Sequence, residues 1–489
     1  MTPRPSGTTA LALLGLALAL TLMAASPQSP DDGRETDPLV LARLDRWQDW
    51  KFGLMMHWGP YSQWGVVESW TLCSEDEPWC RRSMDDYCAY KKAYEALPRT
   101  FNPVKLDAPA WAAAAKSAGM RYVVFTTKHH DGFSMFDTRQ TEYRVTSPDV
   151  PFHADPRADI TKAVFEAFRA QGFGIGAYFS KPDWHHPDFW APEWATPDRN
   201  VNYSILKYPE RWQRFRDFTF RQIEELVSGY GPLDILWLDG GWVRPQPEVE
   251  AAPGHFVKNA KDMDIDMPRI ASMARRLQPG LLIVDRTVAG RYENYRTPEQ
   301  EVPEKPLPYP WETCMTMGDQ WSFKPHDHYK SARRLIHLLV DIVSKGGNFL
   351  LNIGPSPEGE LPPEALERLR AIGAWMKVNA EAIYGTRPVA PYKEGRVCFT
   401  SLADGTIYAI YLAGDGETAP PAKIALGSSV ALEKGSVVRM LGVGEPARWE
   451  RTGNGTELTP PARAVTDPPC RDAWVFRLKP ARPAKGSGS

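Results

Sequence analysis

The chain has 489 residues, 43% of them hydrophobic and 24% charged, with a formal net charge of −2. That is a soluble globular composition, with enough chain for one large domain and a smaller one. The charge balance argues against nucleic acid or an anionic membrane as main partner, since no long Lys/Arg run supplies the basic surface a polyanion needs. Eighteen Trp is a high number; cores use them as filling, and sugar-binding clefts use their flat faces.

In chain order, Arg4 is followed by an apolar run from Ala10 to Ala25 and a polar stretch from Ser26. This is the layout of a secretory signal peptide over residues 1–25, and the run is too short to favour a spanning helix. Its removal takes away Arg4 and moves the net charge from −2 to −3. No second segment is apolar enough to span a bilayer. The expectation is an exported protein, periplasmic or secreted, with no membrane attachment once the signal is cleaved. The even set Cys73, Cys80, Cys88, Cys314, Cys398 and Cys470 permits disulfides in such a chain, and the three near residue 80 invite one bridge. Zinc knuckles need C-x2-4-C spacing, which these cysteines lack.

From Lys51 to about Tyr384, short apolar runs alternate with amphipathic stretches. The runs are Phe52–Met56, Tyr122–Thr126, Gly174–Phe179, Leu233–Leu238, Leu281–Val284 and Phe349–Ile353. Near-continuous apolar strands suit a parallel sheet covered on both faces. Asp107 and Asp159 are placed to cap helices that stop at Gly119 and Gly172, and residues 213–228 and 331–345 carry helical periodicity. Repeated strand, helix and strand give βαβ units, and their number favours a (β/α)8-like TIM barrel over residues 36–385. No G-x-G-x-x-G, G-x-S-x-G or H-E-x-x-H is present, which weakens dinucleotide, serine-hydrolase and zincin readings. Beyond Tyr384, strands at 397–401, 406–412, 437–441 and 473–478, with Asp404-Gly405 as a hairpin turn, predict a C-terminal β-sandwich over residues 386–480. Residues 481–489 read as a disordered tail.

The apolar runs share one property: polar residues follow them. His57-Trp58-Gly59, Lys128-His129-His130-Asp131-Gly132, Asp183-Trp184-His185-His186, Asp239-Gly240-Gly241-Trp242 and Asp285-Arg286 each stand at or beyond a strand end. In a parallel barrel those ends meet at one mouth, where the active site lies. Asp239 is the sharpest candidate. A carboxylate ending a buried strand before two glycines is desolvated yet approachable, as a glycosidase nucleophile must be. A turn or cap aspartate before glycine is the competing structural reading.

Four segments carry a resemblance: Lys51-Phe-Gly-Leu-Met-Met-His-Trp-Gly-Pro-Tyr-Ser, Thr127-Lys-His-His-Asp-Gly-Phe, Leu236-Trp-Leu-Asp-Gly and Gly346-Gly-Asn-Phe-Leu-Leu-Asn-Ile-Gly-Pro. Over about Leu41 to Tyr384 the chain resembles glycoside hydrolase family 29, the retaining α-L-fucosidases. The resemblance implies a (β/α)8-like barrel with a C-terminal β-sandwich, no cofactor, and a fucosylated oligosaccharide or glycoconjugate as substrate. Residue by residue, it implies Asp239 as nucleophile and His57, His129, His130, Tyr178, Trp237 and Arg286 as sugar-holding residues. The family's G-S-E-W segment falls on Val66-Val-Glu-Ser-Trp, which adds Glu68; its N-D-R motif reads Val284-Asp-Arg here. Trp58, Trp64, Trp242, Trp311 and Trp321 are candidate walls, with Trp321 the one assigned to substrate.

Double displacement also needs a second carboxyl group about 5–5.5 Å from the first. The loop from Arg291 to Glu304 offers Glu293, Glu299, Glu301 and Glu304, and the resemblance favours Glu299. A zinc site built from His57, His129, His130, His185 and His186 is the rival reading of the histidines. Adjacent residues of one strand face opposite ways, so His129 and His130 share an ion only if the strand end is irregular. The expected metal content is none. Two other readings are a related exo-glycosidase acting on an α-L-galactoside and a non-catalytic carbohydrate-binding relative.

Overall fold

The computed structural model describes residues 33–73, 80–427, 430 and 432–479, so the signal peptide and the tail predicted above lie outside the described residues. The apolar runs do become parallel strands. Helix α1 (Pro38–Trp50) precedes β1 (Phe52–Met56), and α2 (Tyr87–Glu95) and α3 (Ala108–Ser117) lead to β2 (Tyr122–Lys128). Then come α4 (Ile160–Ala170), β3 (Gly174–Ser180), α5 (Pro209–Gly229) and β4 (Ile235–Asp239). A short hairpin of β5 (Val249–Ala252) and β6 (His255–Val257) interrupts the pattern before α6 (Met267–Leu277) and β7 (Leu282–Asp285). β8 (Glu312–Thr316), α7 (Ala332–Ser344), β9 (Asn348–Asn352) and α8 (Pro363–Asn379) complete the series. Asp107 and Asp159 cap α3 and α4 by accepting from Ala110 N and Lys162 N, and Gly119 and Gly172 follow the helices at φ +90° and +78°.

The sheet order is β7-β4-β3-β2-β1-β9-β8, all neighbours parallel. Its two edges are joined by an irregular segment, Tyr292–Gln300. On one side Asp285 N donates to Tyr292 O and Asn294 N to Ile283 O; on the other Glu312 N donates to Arg296 O, Cys314 N to Pro298 O and Gln300 N to Cys314 O. The barrel is thus closed by a mostly polar stretch that carries no strand pattern.

Helix α1 plugs the bottom. Val40, Leu44 and Trp47 pack on Ile235, Leu282 and Val284 from the barrel interior, and Trp47 stacks on Tyr295 with ring centroids 3.9 Å apart. Lys51, between α1 and β1, is fully buried and left-handed (φ 60°), and its Nζ has no hydrogen-bond partner among the described residues. Burial, with Arg387 adding to it, pulls its pKa down to about 7. The folded state therefore binds fewer protons than the unfolded chain between pH 7 and 10.5, so stability rises with pH across that window. Lys51→Met should raise Tm, more at pH 6 than at pH 9, as thermal melts across pH would show.

Antiparallel strands follow α8: β10 (Arg387–Glu394), β11 (Val397–Ser401), β12 (Ile407–Leu412), β13 (Ile424–Leu426), β14 (Val437–Met440), β15 (Arg448–Thr452), β16 (Gly455–Thr459) and β17 (Ala473–Lys479), with a short α9 (Ala462–Thr466) before the last. They form a five-stranded sheet, β10-β11-β12-β17-β14, and a three-stranded sheet, β13-β16-β15. Phe399, Ala409, Trp474 and Phe476 share a core with Leu426 and Leu458 of the smaller sheet. The alternate residues Cys398, Tyr408, Ile410, Ala473 and Val475 join the barrel's core instead. With both faces covered, the central strands are apolar at nearly every position. From Glu35 onward the chain forms one compact unit, and no helix among the described residues is long and apolar enough to cross a membrane. Of the three early cysteines, Cys88 is a free exposed thiol, which removes it from the expected bridge.

Candidate active site

The strand ends converge as parallel topology requires. One cavity of about 170 Å³ is lined by His57, Glu68, His129, His130, Tyr178, Trp237, Asp239, Arg286, Glu299 and Trp321. These are all the residues the sequence singled out for catalysis and substrate. The cavity is small beside the roughly 300–1,000 Å³ of drug-sized sites, which suits one compact ring better than an extended chain.

Asp239 ends β4. Its Oδ1 accepts from Arg286 at 3.0 Å and its Oδ2 from the Tyr178 hydroxyl at 2.6 Å. Burial alone would raise its pKa, but the Arg286 guanidinium, His130 and the Tyr178 hydroxyl together hold the carboxyl well below the usual range. It is an anion at every working pH. The two glycines that follow are required by space: Gly240 has φ +85° and a Cβ there would meet Pro182 at 2.3 Å, while one on Gly241 would lie 1.8 Å from Thr287 Oγ1.

Arg286 follows β7 and reaches both carboxylates. Besides Asp239, it donates through NH2 to Glu299 and through Nε to Thr297 Oγ1 at 3.1 Å. Glu299 sits on the barrel-closing segment, bracketed by the β8 hydrogen bonds of Cys314 and Gln300, with its side chain 41% exposed. Nucleophile candidate and acid candidate are therefore held by one guanidinium. Glu293, Glu301 and Glu304 do not line the cavity. Glu293 instead accepts from Thr287 N.

Three imidazoles line the same cavity, each gripped at Nδ1: His57 by Asn352 Oδ1 (2.9 Å), His129 by Ser69 Oγ (2.5 Å) and His130 by Ser180 Oγ (2.7 Å). Among the described residues Nε2 of His57 and of His129 makes no hydrogen bond, and Nε2 of His130 lies 3.8 Å from Asp239 Oδ2. Burial pulls the pKa of His57 and of His130 down to about 4, and that of His129 well below the usual value. Neutral imidazoles can donate to or accept from sugar hydroxyls. His129 and His130 face the same cavity, rings 4.2 Å apart, despite being adjacent. The register of β2 shifts between Thr126 and Lys128, so the alternation expected of a strand is broken there. Nε2/Nδ1 and carboxylate atoms of His129, His130 and Asp239 lie within 4.8 Å of one another. A cation there would face Arg286, whose charge already pairs with Asp239, so the donor set fits a metal poorly. His185 and His186 lie elsewhere: His185 stacks on Tyr143 (3.8 Å) and His186 packs on Phe218 (4.3 Å).

Glu68 is buried, left-handed (φ 35°), and accepts from Ser322 N at 2.7 Å. Burial pushes its carboxyl up to about 8, with the charge of Glu299 adding to the rise. It is neutral at neutral pH, and can both donate and accept. Glu68→Gln should leave kcat/KM at pH 6 nearly unchanged and abolish the fall in rate expected as pH rises through about 8. A pH–rate profile checks this; an alkaline limb surviving in the variant would place the ionisation elsewhere.

Among the tryptophans, Trp242 and Trp321 line the cavity, whereas Trp58, Trp64 and Trp311 do not. Trp58 packs on Phe101 and Trp111, Trp64 on Tyr90 and Tyr94, and Trp311 is buried over Gly347. The lining residues missed in the sequence are Met55, Trp70, Arg199 and Cys314. Trp70 stands two places beyond Glu68 in the same motif, which is a usable signal. Arg199 comes from the irregular loop after β3, held where Trp184 Nε1 donates to its carbonyl; its guanidinium lies 5.0 Å from the Trp70 ring and 5.5 Å from the Trp242 ring.

The family model described as Alpha-L-fucosidase matches residues 20–381. An alpha-L-fucosidase of Branchiostoma floridae is 28% identical over 485 residues, covering 95% of this chain and 99% of the relative. Alpha-L-fucosidase isoenzyme 1 from Paenibacillus thiaminolyticus superposes with a TM-score of 0.71 at 30% identity, covering 91% of this chain and all (100%) of that one. The Thermotoga maritima alpha-fucosidase in complex with fucose gives 0.67 at 26% identity, covering 89% and 96%.

Proposed function

This chain belongs to the alpha-L-fucosidase family, and from that premise we propose that it is a retaining exo-α-L-fucosidase that works through Asp239 and Glu299. The observation that carries the reading is that Asp239 and Glu299 line one small cavity, Asp239 held ionised by Arg286 and Tyr178 and Glu299 reaching it from the barrel-closing segment. A terminal fucose enters with its hydroxyls against His57, His129, His130 and neutral Glu68, and its apolar faces against Trp237 and Trp321. Asp239 attacks the anomeric carbon while Glu299 gives its proton to the leaving oxygen. Glu299 then takes a proton from the water that opens the glycosyl ester, so the configuration is inverted twice and kept. Tyr178 and Arg286 orient Asp239 for the attack.

No step uses a cofactor. The substrate is a fucosylated oligosaccharide or glycoconjugate. The apolar run Ala10–Ala25 supports export to the periplasm or the exterior. Proton NMR of an aryl α-L-fucoside during its first turnovers tests the stereochemistry. α-L-fucose forming first agrees with double displacement; β-L-fucose forming first overturns it.

A further inference from the structure

At the end of the barrel opposite the catalytic cavity, α3 and α8 cross at Gly373, where an added Cβ would meet Ser117 O at 2.2 Å. The close crossing leaves a hollow of about 490 Å³ rimmed by Lys116 of α3, Arg121 just before β2, and Arg370 and Lys377 of α8. No acidic residue lines it. Arg370 and Lys377 are seven residues apart and so share one helix face, with Gly373 and Ala374 between them as floor. Arg121 lies over Tyr384, its guanidinium 4.2 Å from the ring centroid, which restrains its donor fork. Lys116 gives one hydrogen bond to Gln171 O. The nearby acids Glu367 and Glu381 pair with Arg368 and Arg477, and no carboxylate among the described residues pairs with the four rim cations.

We propose that this hollow binds an anionic glycan, receiving a sulfate or carboxylate group among Lys116, Arg121, Arg370 and Lys377. Four cations share this lining with no acid in it, a local excess of positive charge on a chain whose net charge is −2. The nearest acids are Glu367, Glu381 and those of the adjoining hollow that Arg370 also borders. The cluster is invisible as a run because three separate segments build it. A nucleic acid needs an extended basic track, whereas a flexible polysaccharide can set a single charged group among four cations. The choice of a glycan over other polyanions rests on the fucosidase reading. The site would hold the enzyme on a charged carbohydrate while the far end trims fucose.

The test compares the whole protein with Lys116→Ser/Arg370→Ser/Lys377→Ser, all exposed positions outside the catalytic machinery. Probes are dextran sulfate, polygalacturonate, neutral dextran, phosphatidylglycerol vesicles and single-stranded DNA. The expected result is salt-sensitive binding of dextran sulfate or polygalacturonate, weakened at least about tenfold in the triple variant. Hydrolysis of an aryl α-L-fucoside, read on the same samples, should be unchanged, which keeps this test separate from that of the fucosidase activity. Absence of binding by the unaltered protein, equal binding by the variant, or tighter capture of vesicles or DNA than of either charged glycan would overturn the proposal.

Discussion

Asp239→Ala is expected to lower kcat/KM on aryl α-L-fucosides by at least about 10⁴-fold, with part of the rate restored by azide. The expectation follows from the site's electrostatics. Asp239 is largely shielded, its side chain 13% exposed, yet Arg286 and Tyr178 keep it ionised, so the anion sits ready in the cavity without needing a base. Removing it takes away the group proposed to form the glycosyl ester, and leaves a space that a small anion can enter. Azide entering there attacks from the same face, so the product should be the β-fucosyl azide. A variant retaining wild-type turnover would remove Asp239 from the reaction.

Glu299→Gln should cost about 10²–10⁴-fold on natural glycosides, whose leaving groups need a proton, and far less on a dinitrophenyl fucoside. The dependence on the leaving group distinguishes an acid from a residue that merely shapes the pocket. The same change at Glu293 or Glu301, which do not line the cavity, should leave that dependence as in the wild type. Equal losses on good and poor leaving groups would contradict the role given to Glu299.

Much of this was legible in the sequence because parallel strands covered on both sides are written as apolar runs. β1 coincides with Phe52–Met56, and the runs ending near Thr126, Phe179, Leu238 and Val284 differ from the observed strands by two residues or fewer at either end. What stood immediately after them therefore lay at the barrel mouth. β8 was missed for a physical reason. It opens with Glu312, a carboxyl inside the barrel that burial pushes up to about 8 and that accepts from Tyr122 (2.5 Å) and Trp237 (3.3 Å). A buried acid neutralised by distant partners looks like a surface residue in a one-dimensional reading. The closing segment Tyr292–Gln300 reads as a loop for a related reason: it meets the sheet edges through backbone hydrogen bonds and through the Asn294 and Gln300 side chains, and leaves no side-chain period. Its role as a staple explains how a Glu on an irregular stretch acquires a fixed position.

Side chains reaching the cavity from outside the strand ends were the harder part. Arg199 depends on the fold of the loop after β3, and nothing in its local spacing marks it. Conversely, Trp58, Trp64 and Trp311 follow or adjoin active-site motifs yet fill the core, since the same flat ring serves both purposes. The small antiparallel strands β13, β15 and β16 escaped as well; β15 is exposed at nearly every position and carries little pattern.

The most direct test of the central assignment is mass spectrometry of the enzyme trapped with 2-deoxy-2-fluoro-α-L-fucosyl fluoride and digested with a protease. A 2-fluorofucosyl adduct is expected on the peptide containing Asp239, with fragmentation placing it on that carboxyl. An adduct on another residue, or inactivation-free turnover with no adduct, would contradict the account.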